Sequence, residues 1–158
     1  MKVYLSGPIY TQNTPEDREA TDGWRNEVDF YFRSWNERSI GFVESVTKLE
    51  NYKFIETIDP CRKKAIYDPK IFTPNEIVLR DLKDVKNADI ILVNFNLIGN
   101  KLPIGTVMEV MYAWNLGKPV VIVSTDNRII NHPWLIAMSV RIFDDLKTAC
   151  DYIVEFWA

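Results

Sequence analysis

"DIILVNFN", residues 89–96, gives the clearest strand pattern in the sequence. Its apolar residues are consecutive rather than alternating, which predicts a strand that is buried on both faces. Such a strand lies in the middle of a sheet covered by helices, and sheets of this kind are mainly parallel. "KPVVIVST", residues 118–125, has the same character and predicts a second buried strand.

Helix patterns alternate with these strands. Thr14 followed by Pro15 is typical of a helix start, with Thr as the N-cap and Pro in the first turn. Thr73 and Pro74 repeat this arrangement, and a third helix is expected from about residue 106 to 116. Shorter strands are expected at residues 3–5, 40–45, 53–58 and 140–143, loops at 61–73 and 96–104, and a last helix after Asp144 or Asp145.

The alternation predicts one α/β domain, residues 1–158, with helices on both faces of a sheet. Ligands of such folds bind beyond the carboxyl ends of the strands. The loop at residues 7–10, the loop after Asp59 and the segment leading into Glu109 are therefore expected to meet there.

Composition argues against several partners. The net charge of −3 and a pI near 5.2 argue against a nucleic acid polymer or an anionic membrane surface. The sequence has no run of 18 apolar residues, which a membrane-spanning helix needs. Two distant cysteines, Cys61 and Cys150, and one histidine argue against a zinc site and favour free thiols in the cytoplasm.

Glu109 is the one carboxylate in "LPIGTVMEVMYAW", residues 102–114. No basic residue lies three or four positions away, so an ion pair within the helix is excluded. The spacing Thr106-x-x-Glu109 fits a capping box, in which the carboxylate only caps its own helix. Alternatively, the helix dipole keeps a first-turn carboxylate ionised, ready to attack or stabilise an oxocarbenium-like centre. The pattern leaves both interpretations open.

Three other features are weaker. "GPIY" after the first strand fits a turn or a ligand loop, and the sequence has no GxGxxG or P-loop motif. Asp81 shares a helical stripe with Ile77, Val78 and Val85, which makes it a better functional candidate than Asp84, although most of the charge on this helix is expected to form a solvated face. His132 precedes a proline and is expected to be a turn residue.

Several segments together resemble the nucleoside 2-deoxyribosyltransferase family and its nucleotide N-hydrolase relatives. The resemblance spans nearly the whole chain and implies a flavodoxin-like, Rossmann-like sandwich with a mainly parallel sheet, and cleavage of an N-glycosidic bond. The matching segments are "KVYLSGPI" (2–9), "DP" (59–60), "RDLKDVKNADIILVNF" (80–95), "GTVMEVMYAWNLGKPVVIV" (105–123) and "FDDLKTACDYI" (143–153).

The resemblance also implies roles. Glu109 matches the nucleophile that holds the sugar as a covalent glycosyl-enzyme, Tyr4 the residue that orients it, and Asp81 the residue that contacts the sugar and assists the leaving base. This chemistry requires no metal and no organic cofactor. The residues implied at the substrate are Gly7, Pro8, Ile9, Asp59, Pro103, Gly105, Thr106 and Met138.

The sequence departs from the family pattern in three places. Pro103 stands where many transferases carry a base-pairing Asp and the hydrolases tend to carry Ser, and Pro8 replaces a second Ser of the hydrolases. The loss of these hydroxyls favours nucleosides over 5′-monophosphates. Ile136 aligns loosely with an Asn that some transferases insert from a neighbouring subunit.

The expected function is therefore a nucleoside 2-deoxyribosyltransferase acting on purine and pyrimidine deoxynucleosides and free bases. Two alternatives stay open: an N-hydrolase of nucleosides or 5′-monophosphates, and a non-catalytic nucleotide-binding protein on the same fold. The resemblance implies a homo-oligomer with sites near subunit interfaces. The apolar segment 134–140 fits either a subunit contact or packing within its own chain.

Overall fold

The computed structural model describes residues 1–9, 14–44, 54–62, 71–96 and 103–158. Strands and helices alternate along these residues, as the sequence predicts. The elements are β1 (Lys2–Ser6), α1 (Pro15–Glu44), β2 (Glu56–Ile58), α2 (Pro74–Asn87), β3 (Ile90–Asn94), α3 (Ile104–Asn115), β4 (Val120–Val123), α4 (Asn127–Ile130), α5 (Pro133–Met138), β5 (Arg141–Phe143) and α6 (Leu146–Trp157).

The five strands form one parallel sheet in the order β2-β1-β3-β4-β5. This is the strand order of flavodoxin-like folds, so the predicted fold class is confirmed. Every residue of β3 is buried, and the strand lies between β1 and β4. The apolar run that predicted a central strand therefore occupies the centre of the sheet.

Helices cover both faces of the sheet, and the alternation of side chains along β1 divides the core in two. Val3 and Leu5 pack in one apolar cluster with residues of α1 and α6. Tyr4 packs on the opposite face, in a cluster with residues of α2, α3 and α5. Consecutive residues of one strand thus contribute to different layers.

The strand expected at residues 40–45 is wrong, because α1 continues for 30 residues to Glu44. The strand preference of Ile40 and Val43 depends on context, and the helix that precedes them continues through both. Near this end of α1, the side-chain amide of Asn36 bonds both the N–H and the C=O of Ile55, at 3.0 and 2.8 Å. Trp35 packs against the same core. The helix is thereby fixed alongside the edge of the sheet.

The starts of α1, α2 and α6 agree with the sequence signals. Thr73 and Glu76 form a capping box at α2, and Asp145 caps α6 by accepting from the N–H of Thr148 at 2.8 Å. Two short helices, α4 and α5, lie between β4 and β5. Asp126 caps the first of them, and Pro133 begins the second.

The expected loops 61–73 and 96–104 are covered only in part. Residues 63–70 and 97–102 lie outside the described residues, as do Tyr10 and the beginning of the expected strand 53–58. Both cysteines carry free thiols and are buried. Among the described ranges, no helix is long and apolar enough to cross a membrane.

Candidate active site

The segments that follow β1, β2 and β3 meet at one edge of the sheet. These three strands are neighbours and run parallel, so their carboxyl ends lie on the same side. Gly7, Pro8 and Ile9 follow β1, and Asp59 follows β2. The chain after β3 leads into α3, which carries Glu109. The expected ligand edge of the sheet therefore brings these segments together.

Glu109 does not cap its helix. The N-cap of α3 is Pro103, without a side-chain hydrogen bond, and Glu109 lies in the second turn of the helix. Its carboxylate instead accepts one hydroxyl hydrogen bond on each oxygen. Tyr4 Oη donates to Oε1 at 2.8 Å, and Ser6 Oγ donates to Oε2. The capping-box interpretation is wrong, because the helix begins two residues earlier than the sequence suggested.

The carboxyl group of Glu109 is enclosed by protein, although the residue keeps some exposure. Burial raises its pKa from 4.5 to about 7, and the hydrogen bonds from Ser6 and Tyr4 offset part of this effect. Asp81 raises the pKa further, and Arg25 lowers it. The dipole argument assumed a first-turn carboxylate, whereas Glu109 lies in the second turn of α3. Desolvation is the largest influence on its pKa.

Tyr4 is fully buried, and burial holds the pKa of its hydroxyl well above the usual value. The nearby Glu109 carboxylate acts in the same direction. The phenol therefore remains protonated and remains a hydrogen-bond donor. Its position follows from the strand, because alternate residues of β1 point to the face on which α3 packs.

Asp81 is the buried carboxylate of α2 and lies close enough to influence both Glu109 and Tyr4 electrostatically. Burial raises its pKa, and the neighbouring Arg80 offsets part of this shift. Arg80 donates to Asp81 Oδ1 from Nε at 3.1 Å and from Nη2 at 2.8 Å. Arg80 also donates to the carbonyl of Pro60 at 2.8 Å, which ties α2 to the chain after β2.

The stripe that pointed to Asp81 is present only in part. Asp81 and Val85 are buried, as the pattern predicts, whereas Val78 is exposed. A carboxylate that is buried beside a second buried carboxylate is a typical feature of a catalytic site.

Arg25 of α1 is fully buried and binds the backbone at the end of β1 and in the segment that follows it. Its guanidinium donates to the carbonyl of Gly7 at 3.0 Å and to those of Leu5 and Thr21. It also pairs with Asp59 at 3.5 Å. One side chain therefore joins the chain segments that follow two neighbouring strands.

Gly7 lies against the ring of Trp24. A Cβ atom at this position would lie 2.7 Å from the ring carbon Cζ2 of Trp24, closer than packed carbon atoms approach. The close approach requires glycine, which shows that the segment after β1 is packed directly onto α1.

The remaining predicted residues lie in two places. Pro103, Gly105 and Thr106 form the start of α3, where Thr106 is buried. Met138 ends α5 and is buried in the apolar cluster that includes Tyr4. It precedes β5 and thus lies toward the amino ends of the strands, away from the segments that follow β1 and β2. Contact of these residues with a substrate stays a prediction.

The sequence analysis missed two polar residues. Ser6 follows Tyr4 by two positions on the same strand, so the period-2 rule would have placed it beside Glu109. Arg25 shares a helical stripe with Val28 and Phe32, all of them buried. A charged residue on a buried helix face must pair with other groups inside the protein. Its position in the sequence could therefore have marked Arg25 as a structural or functional residue.

Within the described ranges, no group of three His, Cys, Asp or Glu side chains comes together that could hold a metal ion. The site combines a buried carboxylate, Asp81, and a half-buried one, Glu109, with two hydroxyl donors at the carboxyl ends of the strands. Such an arrangement suits nucleophilic or acid–base chemistry.

The sequence model of one family, nucleoside 2-deoxyribosyltransferase, matches residues 30–154. This range is well over half of the chain and includes Asp81 and Glu109. The chain therefore belongs to the nucleoside 2-deoxyribosyltransferase family. No curated protein matches the chain significantly by sequence.

Solved structures with the same fold include three informative examples. A 2-deoxyribosyltransferase from the psychrotolerant bacterium Bacillus psychrosaccharolyticus has a TM-score of 0.60 and 19% identity, covering 96% of this chain and 92% of its own. A conserved protein from Enterococcus faecalis gives 0.62 and 18%, with 98% and 97% covered. A CMP N-glycosidase from Clostridium botulinum gives 0.54 and 12%, with 99% and 100% covered. At these identities the likeness shows the fold alone.

Proposed function

We propose that the protein is a nucleoside 2-deoxyribosyltransferase, which moves 2-deoxyribose between purine or pyrimidine bases through a covalent glycosyl-Glu109 intermediate. The observation that carries the proposal is the buried Glu109 carboxylate, held on both oxygens by the hydroxyls of Tyr4 and Ser6. A nucleophile requires such orientation, and a carboxylate matches the oxocarbenium-like transition state of glycosidic cleavage.

In the first half of the reaction, an oxygen of ionised Glu109 forms a bond to the anomeric carbon of the sugar. The bond between that carbon and the base nitrogen breaks, and the base leaves with the electron pair. Asp81 contacts the sugar and assists at the leaving base, where a proton must be supplied. Burial raises the pKa of Asp81 above its ordinary value, which is the direction that favours a proton donor.

In the second half, the nitrogen of an incoming base attacks the same carbon from the side that the first base left, and Asp81, which gave up its proton to the first base, takes up the proton of that nitrogen. The carbon–oxygen bond to Glu109 breaks, the carboxylate is restored, and the sugar keeps its configuration. Water in place of the base gives hydrolysis as a side reaction. None of these steps calls on a group that the chain itself does not supply.

The substrates are nucleosides rather than 5′-monophosphates. Pro8 and Pro103 stand at positions where a phosphate-binding relative would carry hydroxyls, and proline provides neither a hydroxyl nor a backbone N–H. The guanidinium of Arg25 binds the segment after β1 by donating to backbone carbonyls, and it also pairs with Asp59. It is therefore not free for a phosphate.

The protein acts in the cytoplasm, in nucleoside salvage, as a homo-oligomer. Free, buried thiols at Cys61 and Cys150 fit a reducing compartment. Trp134, Ile136 and Val140 are exposed although they are large and apolar, which fits a subunit contact beside α5. Light scattering of the purified protein tests the oligomeric state.

The activity is tested by incubating the protein with deoxyinosine, with and without adenine, and separating the products by chromatography. We expect deoxyadenosine to form only when adenine is present. Hypoxanthine released at a rate indifferent to adenine would replace the proposal by nucleoside hydrolysis. Products from deoxynucleoside 5′-monophosphates alone would overturn the preference for nucleosides.

Replacing Glu109 distinguishes an enzyme from a binding protein. Glu109→Ala removes the nucleophile, so we expect turnover to fall at least about a thousandfold. Nucleoside binding, measured by calorimetry, should be largely retained. Glu155→Ala, an exposed carboxylate on α6, is the matched control and should keep full activity. Unchanged turnover in Glu109→Ala would refute the covalent mechanism.

A further inference from the structure

Ser6 is the last residue of β1 and is fully buried. Its hydroxyl donates to Oε2 of Glu109, while the hydroxyl of Tyr4 donates to Oε1. Both donors come from the same face of the same strand, two residues apart. The family resemblance and the proposed reaction assign a role to Tyr4 and none to Ser6.

Two donors on separate oxygens do what one donor cannot. With Tyr4 alone, the carboxylate of Glu109 is restrained at one oxygen only and can tilt within the range that a single hydrogen bond allows. The second hydrogen bond, to Oε2, fixes that plane relative to the strand. It also places a hydroxyl dipole against the charge of a group from which water has been removed, where such contacts are strong.

Among the described residues, the charged side chains with the strongest influence on Glu109 are Asp81 from α2 and Arg25 from α1. The elements β3, β4 and α5 also contact α3 and contain no charged residue. Of the groups that stabilise the ionised carboxylate, Ser6 contributes most, ahead of Tyr4 and Arg25.

We propose that Ser6 is a positioning residue for the glycosyl transfer: its hydroxyl fixes the orientation of the Glu109 carboxylate and stabilises its negative charge. The role rests on the proposed function, since it acts through the nucleophile. Its physical basis, the hydrogen bond to Oε2, exists without substrate and is measurable by itself.

The direct test is a titration of Glu109. Protein labelled with ¹³C at glutamate carboxyls is followed by NMR between pH 4 and 9, and Glu109→Gln identifies the resonance. Losing one hydrogen bond to the charge should move the Glu109 midpoint upward by about one pH unit in Ser6→Ala. Ser6→Thr keeps the hydroxyl and should restore the midpoint, and Ser6→Cys, a weaker donor, should fall between.

Ser124 provides the matched control. It is a buried serine directly after β4, in the same sheet, and its hydroxyl bonds to backbone at Phe95 and Asp126. Ser124→Ala removes a buried hydroxyl of equal size without touching Glu109. The Glu109 midpoint should therefore stay at its wild-type value.

Turnover gives the second readout. Because only ionised Glu109 reacts, kcat/KM should rise with pH through the Glu109 midpoint, and Ser6→Ala should lose about tenfold at pH 6. The loss should shrink at pH 9, where the carboxylate is ionised in both proteins. A merely structural effect would lower kcat/KM equally at both pH values.

Two results would overturn the role of Ser6: a Glu109 midpoint that does not move in Ser6→Ala, or a pH-independent loss of kcat/KM that Ser6→Thr does not restore. Failure of the proposed function looks different. In that case, deoxynucleosides are not turned over, while the midpoint still moves in Ser6→Ala and returns in Ser6→Thr.

Discussion

Val3 and Leu5 face α1 and α6, whereas Tyr4 and Ser6, from the same strand, face the side of the sheet on which α3 packs. The first pair is purely apolar and packs among buried side chains of both helices. The second pair carries hydroxyls, and both hydroxyls are used to hold Glu109. One strand thus supplies a core on one face and a site on the other.

The difference shows how a small domain supports a buried charge. Each fully buried apolar side chain contributes roughly 1.5–3 kcal/mol to folding. The burial of Glu109 acts in the opposite direction, because desolvation disfavours its ionised form, as the raised pKa of about 7 indicates. The apolar face offsets the cost of the polar face, so substitutions on the two faces should have opposite consequences.

The largest expected effect is on the apolar face. Leu5→Ala removes a fully buried side chain and leaves a cavity, so we expect a loss of about 2–5 kcal/mol in the free energy of unfolding. Urea denaturation measures the loss. The pH dependence of kcat/KM should keep its midpoint, since no contact of Glu109 changes.

Phe30→Ala is the control for this change, because Phe30 lies on α1 and is 73% exposed. Its effect on unfolding should stay within about 0.5 kcal/mol. If Leu5→Ala moved the titration midpoint of Glu109 as far as Ser6→Ala does, the two faces of β1 would not have separate roles.

The second effect is on the polar face, where the substitution should increase the free energy of unfolding instead of lowering it. The pKa of Glu109 is raised from 4.5 to about 7, so its contribution to stability is complete below pH 4.5 and is lost as the pH rises through 7. Glu109→Gln does not titrate and escapes this loss. Relative to wild type, the variant should gain about 3 kcal/mol between pH 4.5 and pH 8, measured by urea denaturation at each pH.

Glu155→Gln is the control, because this exposed carboxylate on α6 should give a difference that does not change with pH. A difference between Glu109→Gln and wild type that stays constant across the range would mean that Glu109 is not held in a desolvated site. The variant is also expected to be inactive, so stability and activity should change in opposite directions.

The central features of the fold were predictable because they depend on local patterns. The apolar run of β3 can be buried only in the middle of a sheet, and Thr73 with Pro74 starts a helix wherever the helix later packs. The end of α1 was not predictable in this way. Residues 40–44 favour a strand locally, whereas α1 continues through them to Glu44. Four residues earlier, Asn36 bonds to the backbone of Ile55, a contact between distant residues that no local pattern reveals.

The sequence predicted those site residues whose chemical type is unusual for their surroundings. Glu109 was singled out because it is the one carboxylate in an apolar segment. Whether it caps its helix or belongs to a site depended on where α3 begins. Its pKa depends on burial by several elements, which no spacing reveals. Arg25 bonds to backbone carbonyls, which every residue has, so no sequence pattern names its partners.

Tyr4→Phe gives the smallest expected effect. It tests whether a tyrosine–carboxylate hydrogen bond has a different role on the polar face than on the apolar face of the sheet. The variant keeps the ring in its apolar cluster and loses only the bond to Oε1 of Glu109, so kcat/KM at pH 6 should fall about three- to tenfold. The Glu109 midpoint should rise by less than in Ser6→Ala, because Tyr4 offsets less of the desolvation than Ser6 does. Tyr31→Phe is the matched control: it removes the bond from a tyrosine hydroxyl to Asp151, between α1 and α6 on the opposite face. An equal change of the pH profile in both variants would show that a tyrosine–carboxylate bond acts only through stability, and the polar face of β1 would then have no separate role.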